Sequence, residues 1–219
     1  MHDYQRRFVD FMVASGVLTF GDFTTKSGRR TPYFVNTGRY RSGTQLATLG
    51  RAYADAIERS FPAGFDCLFG PAYKGIPLAV AVAMAFAERG RDVEFCFNRK
   101  EAKDHGEGGV LVGRRLQDGD RVLIVEDVTT AGTSIRETVP ILRAAAAVRL
   151  AGLVVSVDRQ ERATESSSVS ALAEVGAEFG MPTAAIVTID EVVAHLGTRL
   201  TDADRDRIAA YRAAYGARS

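Results

Sequence analysis

The spacing of apolar residues along this chain changes period repeatedly, and each change predicts an element. Phe8, Phe11, Met12 and Val13 follow Asp3 at helical spacing and stop before Gly16, which predicts an opening amphipathic helix. Between Phe20 and Gly38 the pattern turns to short β-rich pieces, FGDFTT and TPYFVNTG, around a KSGR turn; this predicts a hairpin-like unit, a small hood. Residues 44–59 return to a helical period, with Leu46, Leu49, Tyr53 and Ile57 on one side. From there strands and helices alternate: strand 65–69, helix 76–88, strands 93–97 and 121–128, helix 134–147, strand 150–157, helix 171–179, strand 184–189. Residues 191–215 read as one or two closing helices. This alternation implies an α/β fold, a mostly parallel sheet with helices on both faces, and ligands bound beyond the carboxyl ends of its strands.

Composition narrows the picture. The 219 residues, 46% hydrophobic and 25% charged, suit a single domain, residues 1–219, to which 1–40 contribute the first helix and the hood. Twenty-eight basic residues against 27 acidic ones make no field that would favour nucleic acid or a membrane surface. With Asp3 and Asp10 in its first turns and no long apolar run, the N-terminus resembles neither a signal peptide nor a spanning helix, and a cytoplasmic location is expected. Cys67 and Cys96, both in apolar strand-like stretches, read as reduced core thiols, and no zinc-ligand spacing occurs. The polar stretch 163–170 reads as an exposed loop, and His195 as a surface or packing residue.

The chemistry concentrates in VLIVEDVTTAGTS, residues 122–134. An apolar strand ends in two carboxylates, and a loop of Thr, Gly and Ser opens directly onto a helix. Such a loop can aim the backbone N–H groups of Thr130, Gly132, Thr133 and Ser134 at one anion, with the positive end of the helix dipole behind them. Glu126 and Asp127 would repel that anion, but one loop-length away they suit sugar hydroxyls or a hydrated Mg²⁺. The alternative is a solvated acidic turn and an ordinary helix cap; the coincidence of acids, Gly and cap at one strand end favours a phosphate cradle. FGPAYKG, residues 69–75, also lies between a strand and a helix, and offers Lys74 and backbone N–H groups to a second anion without the ending of a Walker A loop. RKEAKDHGEGG, residues 99–109, is a charged loop flanked by glycines, either a solvated connector or an active-site lid. Arg159 follows the strand ending at Asp158; it is either a surface charge or a planar guanidinium facing the same crevice, suited to a carboxylate.

Taken together, FTTKSGRRTPYFVNTG at 23–38, FGPAYKGIPLA at 69–79, CFNRKEAKDHGEGG at 96–109, VEDVTTAGTSIRE at 125–137, VDRQERA at 157–163 and the opening YQRRFVDF resemble the bacterial orotate phosphoribosyltransferases across most of the chain. The resemblance implies the type I phosphoribosyltransferase fold and Mg²⁺-dependent transfer of a phosphoribosyl group from phosphoribosyl diphosphate to orotate. It places the donor on Lys26, on Tyr73 and Lys74, on Arg99, Lys100, Lys103 and His105 of a lid with glycine hinges, on Glu126 and Asp127, and on the loop formed by Val128, Thr129, Thr130, Ala131, Gly132, Thr133 and Ser134. Orotate would meet Phe34, Val35, Thr130 and Arg159. Lys26, Lys103 and Asp127 would be catalytic, and Asp127 would hold the metal through water. The family also implies a homodimer with shared active sites. Two positions depart from its common pattern: Val35 stands where many relatives have a second aromatic, and Glu126 where aspartate is common. The phosphate loop would equally serve a purine phosphoribosyltransferase, but the hood and the 99–109 segment argue for orotate. A sensor module that kept the fold without catalysis would have no need of the lid lysines. A dinucleotide-binding oxidoreductase fails for want of G-x-G-x-x-G.

Overall fold

The computed structural model describes residues 1–24, 29–103, 109–129, 132–164 and 166–217, without the side chains of residues 102, 103 and 109. The opening helix α1 (Asp3–Ala14) leads into the antiparallel hairpin β1 (Leu18–Thr24) and β2 (Arg30–Val35), which is the expected hood. Next come α2 (Gly43–Ser60), β3 (Cys67–Gly70), α3 (Gly75–Glu88), β4 (Glu94–Lys103), β5 (Gly109–Gly113) and β6 (Arg121–Val125). The chain closes with α4 (Thr133–Ala145), β7 (Arg149–Asp158), α5 (Ala171–Phe179), β8 (Thr183–Thr188), α6 (Ile189–Leu196) and α7 (Asp202–Tyr215). Strands β3 to β8 form one sheet in the order β5-β4-β3-β6-β7-β8, parallel except for β5 at the edge.

The period of two in the strands sorts their side chains between two cores. Leu68, Leu123, Val125 and Val154 point into the larger core with α1, α2, α3, α6 and α7. Cys67, Phe69, Cys96, Val122, Ile124, Leu153 and Val155 point the other way, onto Ile135, Val139 and Leu142 of α4 and Leu172 and Val175 of α5. Helices therefore cover both faces, as the alternation predicted. Among the described residues no helix is long and apolar enough to cross a membrane. Cys67 and Cys96 are buried free thiols with sulfurs 3.6 Å apart on neighbouring strands, a proximity their sequence separation conceals.

The segment 99–109 departs from its expected form as a loop. In its described part it is a strand pair: β4 continues through Arg99 and Lys100 to Lys103, and Gly109 opens β5. The apolar Val110, Leu111 and Val112 supply the missed partner strand, with Asn98 opposite Leu111 and a register shift before Lys103. Charged side chains are compatible with a strand here because the pair lies at the edge of the sheet. The strand predicted over 121–128 stops at Val125, where the acids begin.

Helices α2 and α3 cross at Gly50. A β-carbon there would stand 2.3 Å from the carbonyl oxygen of Ala81, a backbone atom that cannot swing aside. Gly50→Ala is expected to cost about 1 to 3 kcal/mol and to lower Tm by roughly 2 to 4 °C per kcal/mol in a chain of this size. A melting temperature equal to wild type would show that the two helices separate freely.

Candidate active site

The sheet order reverses between β3 and β6, since the chain runs outward from β3 to β4 and then returns to the other side of β3 for β6. At such a reversal the loops leaving adjacent parallel strands diverge and leave a crevice. The loop after β3 carries Pro71 to Lys74, and the loop after β6 carries Glu126 onward to α4. They meet across the crevice: Lys74 Nζ lies 3.0 Å from Asp127 Oδ2. Two segments singled out for anion binding are thus joined by one ion pair.

The two acids have different fates. Glu126 turns inward and is buried: Ser134 Oγ donates to its Oε2 at 2.6 Å and the Asp127 N–H to its Oε1 at 2.8 Å. Burial, aided by the neighbouring Asp127 charge, pushes its pKa up to about 7 against the two hydrogen bonds. Asp127 faces the crevice. Burial would raise its pKa as well, but hydrogen bonds from Thr37 and Lys74 outweigh burial and hold the carboxyl below its ordinary value. Thr37 Oγ1 donates to Asp127 Oδ2 at 2.7 Å and the Val128 N–H to Oδ1 at 2.7 Å. Beneath, the Tyr53 hydroxyl of α2 donates to the Glu126 carbonyl and Ser156 Oγ of β7 to the Asp127 carbonyl, so the backbone of the two acids is fixed from a helix and from the sheet.

In the loop after β6, Val128 and Thr129 are partly buried, and the Gly132 N–H donates to Thr129 Oγ1 at 3.2 Å. Gly132 has φ +72°, and a β-carbon there would lie 2.3 Å from Val175 Cγ2. Its small size therefore serves a left-handed turn and packing on α5. Thr133 and Ser134 begin α4 and are exposed, although the Ser134 hydroxyl is already engaged by Glu126. Thr130 and Ala131 lie outside the described residues.

In the other loop Tyr73 is 69% exposed, and Lys100 Nζ of β4 lies 5.9 Å from the centre of its ring. Arg99 is half-buried on the same strand. Buried Asn98 accepts the Ala72 N–H at 2.9 Å and so pins the loop to β4. Lys26, His105 and the lid glycines Gly106 and Gly108 lie outside the described residues, as does the side chain of Lys103.

On the hood, Phe34 is 40% exposed and tilted against Phe23, while Val35 is half-buried against the larger core. Arg159 is not the surface charge that DRQER alone suggests: it is 9% exposed and stacks on the Tyr33 ring at 4.9 Å. Burial would lower its pKa, but the charge of Glu161 and the neighbouring Tyr33 more than offset this and hold it fully cationic. Thr37, Asn98, Tyr33 and Glu161 were legible only as members of motifs, since polar contacts between distant segments leave no spacing in a sequence.

Among the described residues no three His, Cys, Asp or Glu side chains gather as a metal set. With Glu126 turned inward, Asp127 is the carboxylate facing the crevice. That donor set fits Mg²⁺, which commonly takes one or two carboxylates and completes its octahedron with water and substrate phosphate.

Residues 36–182 match the Phosphoribosyl transferase domain family. The chain is 54% identical to the orotate phosphoribosyltransferase of Clostridium beijerinckii over 226 residues, covering 100% of both. It is 58% identical to that of Lachnoclostridium phytofermentans over 90% of this chain and 87% of the relative. Among solved structures, the orotate phosphoribosyltransferase of Francisella tularensis superposes with a TM-score of 0.85 at 38% identity, covering 96% of this chain and 100% of that one.

Proposed function

Because the chain belongs to the orotate phosphoribosyltransferase family, we propose that its crevice holds phosphoribosyl diphosphate between the loops after β3 and β6, with orotate under the hood. The reaction is transfer of the 5-phosphoribosyl group to orotate, giving orotidine 5′-monophosphate and pyrophosphate in pyrimidine nucleotide synthesis. The observation that carries the site assignment is the Lys74–Asp127 pair, which joins two anion-binding loops at the reversal of strand order.

The sugar phosphate lies on the loop 128–134 at the start of α4, and the diphosphate lies toward Tyr73, Lys74, Arg99 and Lys100. Lys26, Lys103 and His105 join it from the hood turn and the lid. As the bond from sugar to diphosphate breaks, positive charge grows on the ribose and negative charge on the leaving group. Asp127, kept ionised by Thr37 and Lys74, faces the first; Lys74 and the lid cations face the second. Orotate supplies its own ring nitrogen as nucleophile, so the side chains position and neutralise two anionic reactants rather than attack. Asp127 would hold Mg²⁺, and the ion would supply charge neutralisation to the leaving diphosphate.

Phe34 and Val35 border the pyrimidine with Thr130, and Arg159 receives the orotate carboxylate. Its buried guanidinium presents a planar fork matched to that group. Residues 1–219 work as one domain, in the cytoplasm, within a homodimer whose lids close over each other's sites.

An absorbance assay with orotate, phosphoribosyl diphosphate and Mg²⁺ is expected to show Mg²⁺-dependent, orotate-dependent pyrophosphate release, with hypoxanthine and uracil far slower. Turnover of either of those without orotate turnover would overturn the base assignment. Arg159→Ala is expected to raise the KM for orotate about tenfold or more while sparing the donor, since a hydrogen bond to a charged group is worth about 1.5 to 3 kcal/mol. Equal weakening of both substrates would point to a disturbed fold instead.

A further inference from the structure

We infer that Glu161 is the positioning residue of the base site: it aims the Arg159 guanidinium and ties that aim to the hood and to the closing helix. This rests on the reading that Arg159 meets the orotate carboxylate. Glu161 Oε1 accepts from Arg159 Nε at 2.8 Å and stands 2.7 Å from Nη2. Those two nitrogens form the side edge of the guanidinium plane. The end edge, made of Nη1 and the second Nη2 proton, carries only a long 3.4 Å contact from Nη2 to Thr31 Oγ1 among the described residues. One edge is held, and the other is left to meet a carboxylate two-pronged.

Glu161 is itself held from several sides. The Tyr33 hydroxyl of β2 donates to the same Oε1 at 2.9 Å, while the Tyr33 ring carries Arg159 on its face. Arg29, on the hood side, stands 3.6 Å from Oε2 and lies over the ring of Tyr215 in α7. The backbone of Glu161 bridges to Gly216, flanked by bonds from Arg162 N to the Tyr215 carbonyl and from Ala217 N to the Gln160 carbonyl. A carboxylate serving only as a stand-in for absent substrate would need none of these ties. Nor would it occupy the side edge and leave the end edge open. Glu161 thus holds Arg159 by one edge and leaves the other for the base.

The test measures kcat, both KM values and Tm for wild type, Arg159→Ala, Glu161→Ala, Glu161→Gln and the double variant Arg159→Ala/Glu161→Ala, with uracil as a base lacking the carboxylate. Glu161→Ala is expected to raise the orotate KM roughly tenfold, to leave the donor KM within about twofold, and to reduce the preference for orotate over uracil by about the same tenfold factor. Glu161→Gln should fall between, because its amide oxygen still accepts from Arg159 and Tyr33. The double variant should match Arg159→Ala alone, since both changes act on one contact. A lower orotate KM in Glu161→Ala would mark a displaced stand-in and overturn the inference. Equal rises for both substrates, or additive effects in the double variant, would overturn it too. Should Arg159→Ala raise the orotate KM while Glu161→Ala does not, the inference alone fails; should Arg159→Ala leave it unchanged, the reading beneath it fails as well. If Glu161→Ala does not fold, Tyr33→Phe, which removes the hydroxyl steadying Glu161, takes its place with the same expected direction.

Discussion

Asp127→Asn is expected to lower kcat by about 10² to 10³, the usual loss when a preorganised group facing transition-state charge is removed. The substitution keeps size and shape, so the effect isolates charge and donor pattern. Asp127 accepts three contacts: Thr37 and Lys74 on one oxygen and the Val128 N–H on the other. An asparagine has one acceptor atom to offer. If its oxygen faces Val128, its NH₂ meets the Lys74 ammonium, donor against donor; if it faces Lys74, the Val128 N–H loses its partner. Either way the negative charge opposite the ribose is gone. Thr37→Val, which removes one hydrogen bond and leaves the charge, should cost far less. A kcat for Asp127→Asn within about tenfold of wild type would show that Asp127 does not face the developing positive charge.

Much of this arrangement is legible in the sequence, for reasons that differ by element. The alternation of strand and helix is written in hydrophobic periods, and the segment 171–179 coincides with α5 because Ser170 caps its start and Gly180 its end. The edge strand β5 escapes because its apolar run is short and sits next to a charged segment that reads as solvated. Asp127 and Lys74 are visible as parts of loops between strand and helix. That they touch is not, because it depends on which strands become neighbours in the sheet. Glu126 shows the same limit: its residue type announces a charge, while its inward turn onto Ser134 comes from packing. Arg159 is readable as a charge at a strand end, but its stacking on Tyr33 requires the hood to fold back across more than a hundred residues of chain.

Mixing two inactive variants, Lys103→Ala in the lid and Asp127→Asn in the crevice, is expected to restore about a quarter of wild-type activity once subunits have been dissociated and reassociated. The reasoning is geometric. Strands β4 and β5 lie at the outer edge of the sheet, and the sequence between them is charged, with little apolar surface of its own to settle against. A two-fold partner supplies such a surface equivalently for both lids. In a hybrid dimer with exchanged lids, one site then combines an intact Lys103 with an intact Asp127 and the other lacks both. Random mixing makes half the dimers hybrids, and half the sites in those are whole. If each lid served its own subunit, every site would keep one defect and activity would stay near that of the single variants. Hybrids shown to have formed but lacking recovered activity would refute shared sites without touching the chemistry.

The division of the molecule into two cores by its sheet has an evolutionary side. The hood and the residues that carry it pack in the larger core, whereas the helix behind the phosphate loop packs in the smaller one. The hood and the helix behind the loop 128–134 therefore rest on separate hydrophobic layers, with the sheet as a common wall. Substitutions that reshape the first layer reach the second only through that wall. A lineage, or an engineer, can thus repack the layer beneath the hood while the seat of α4 is inherited intact.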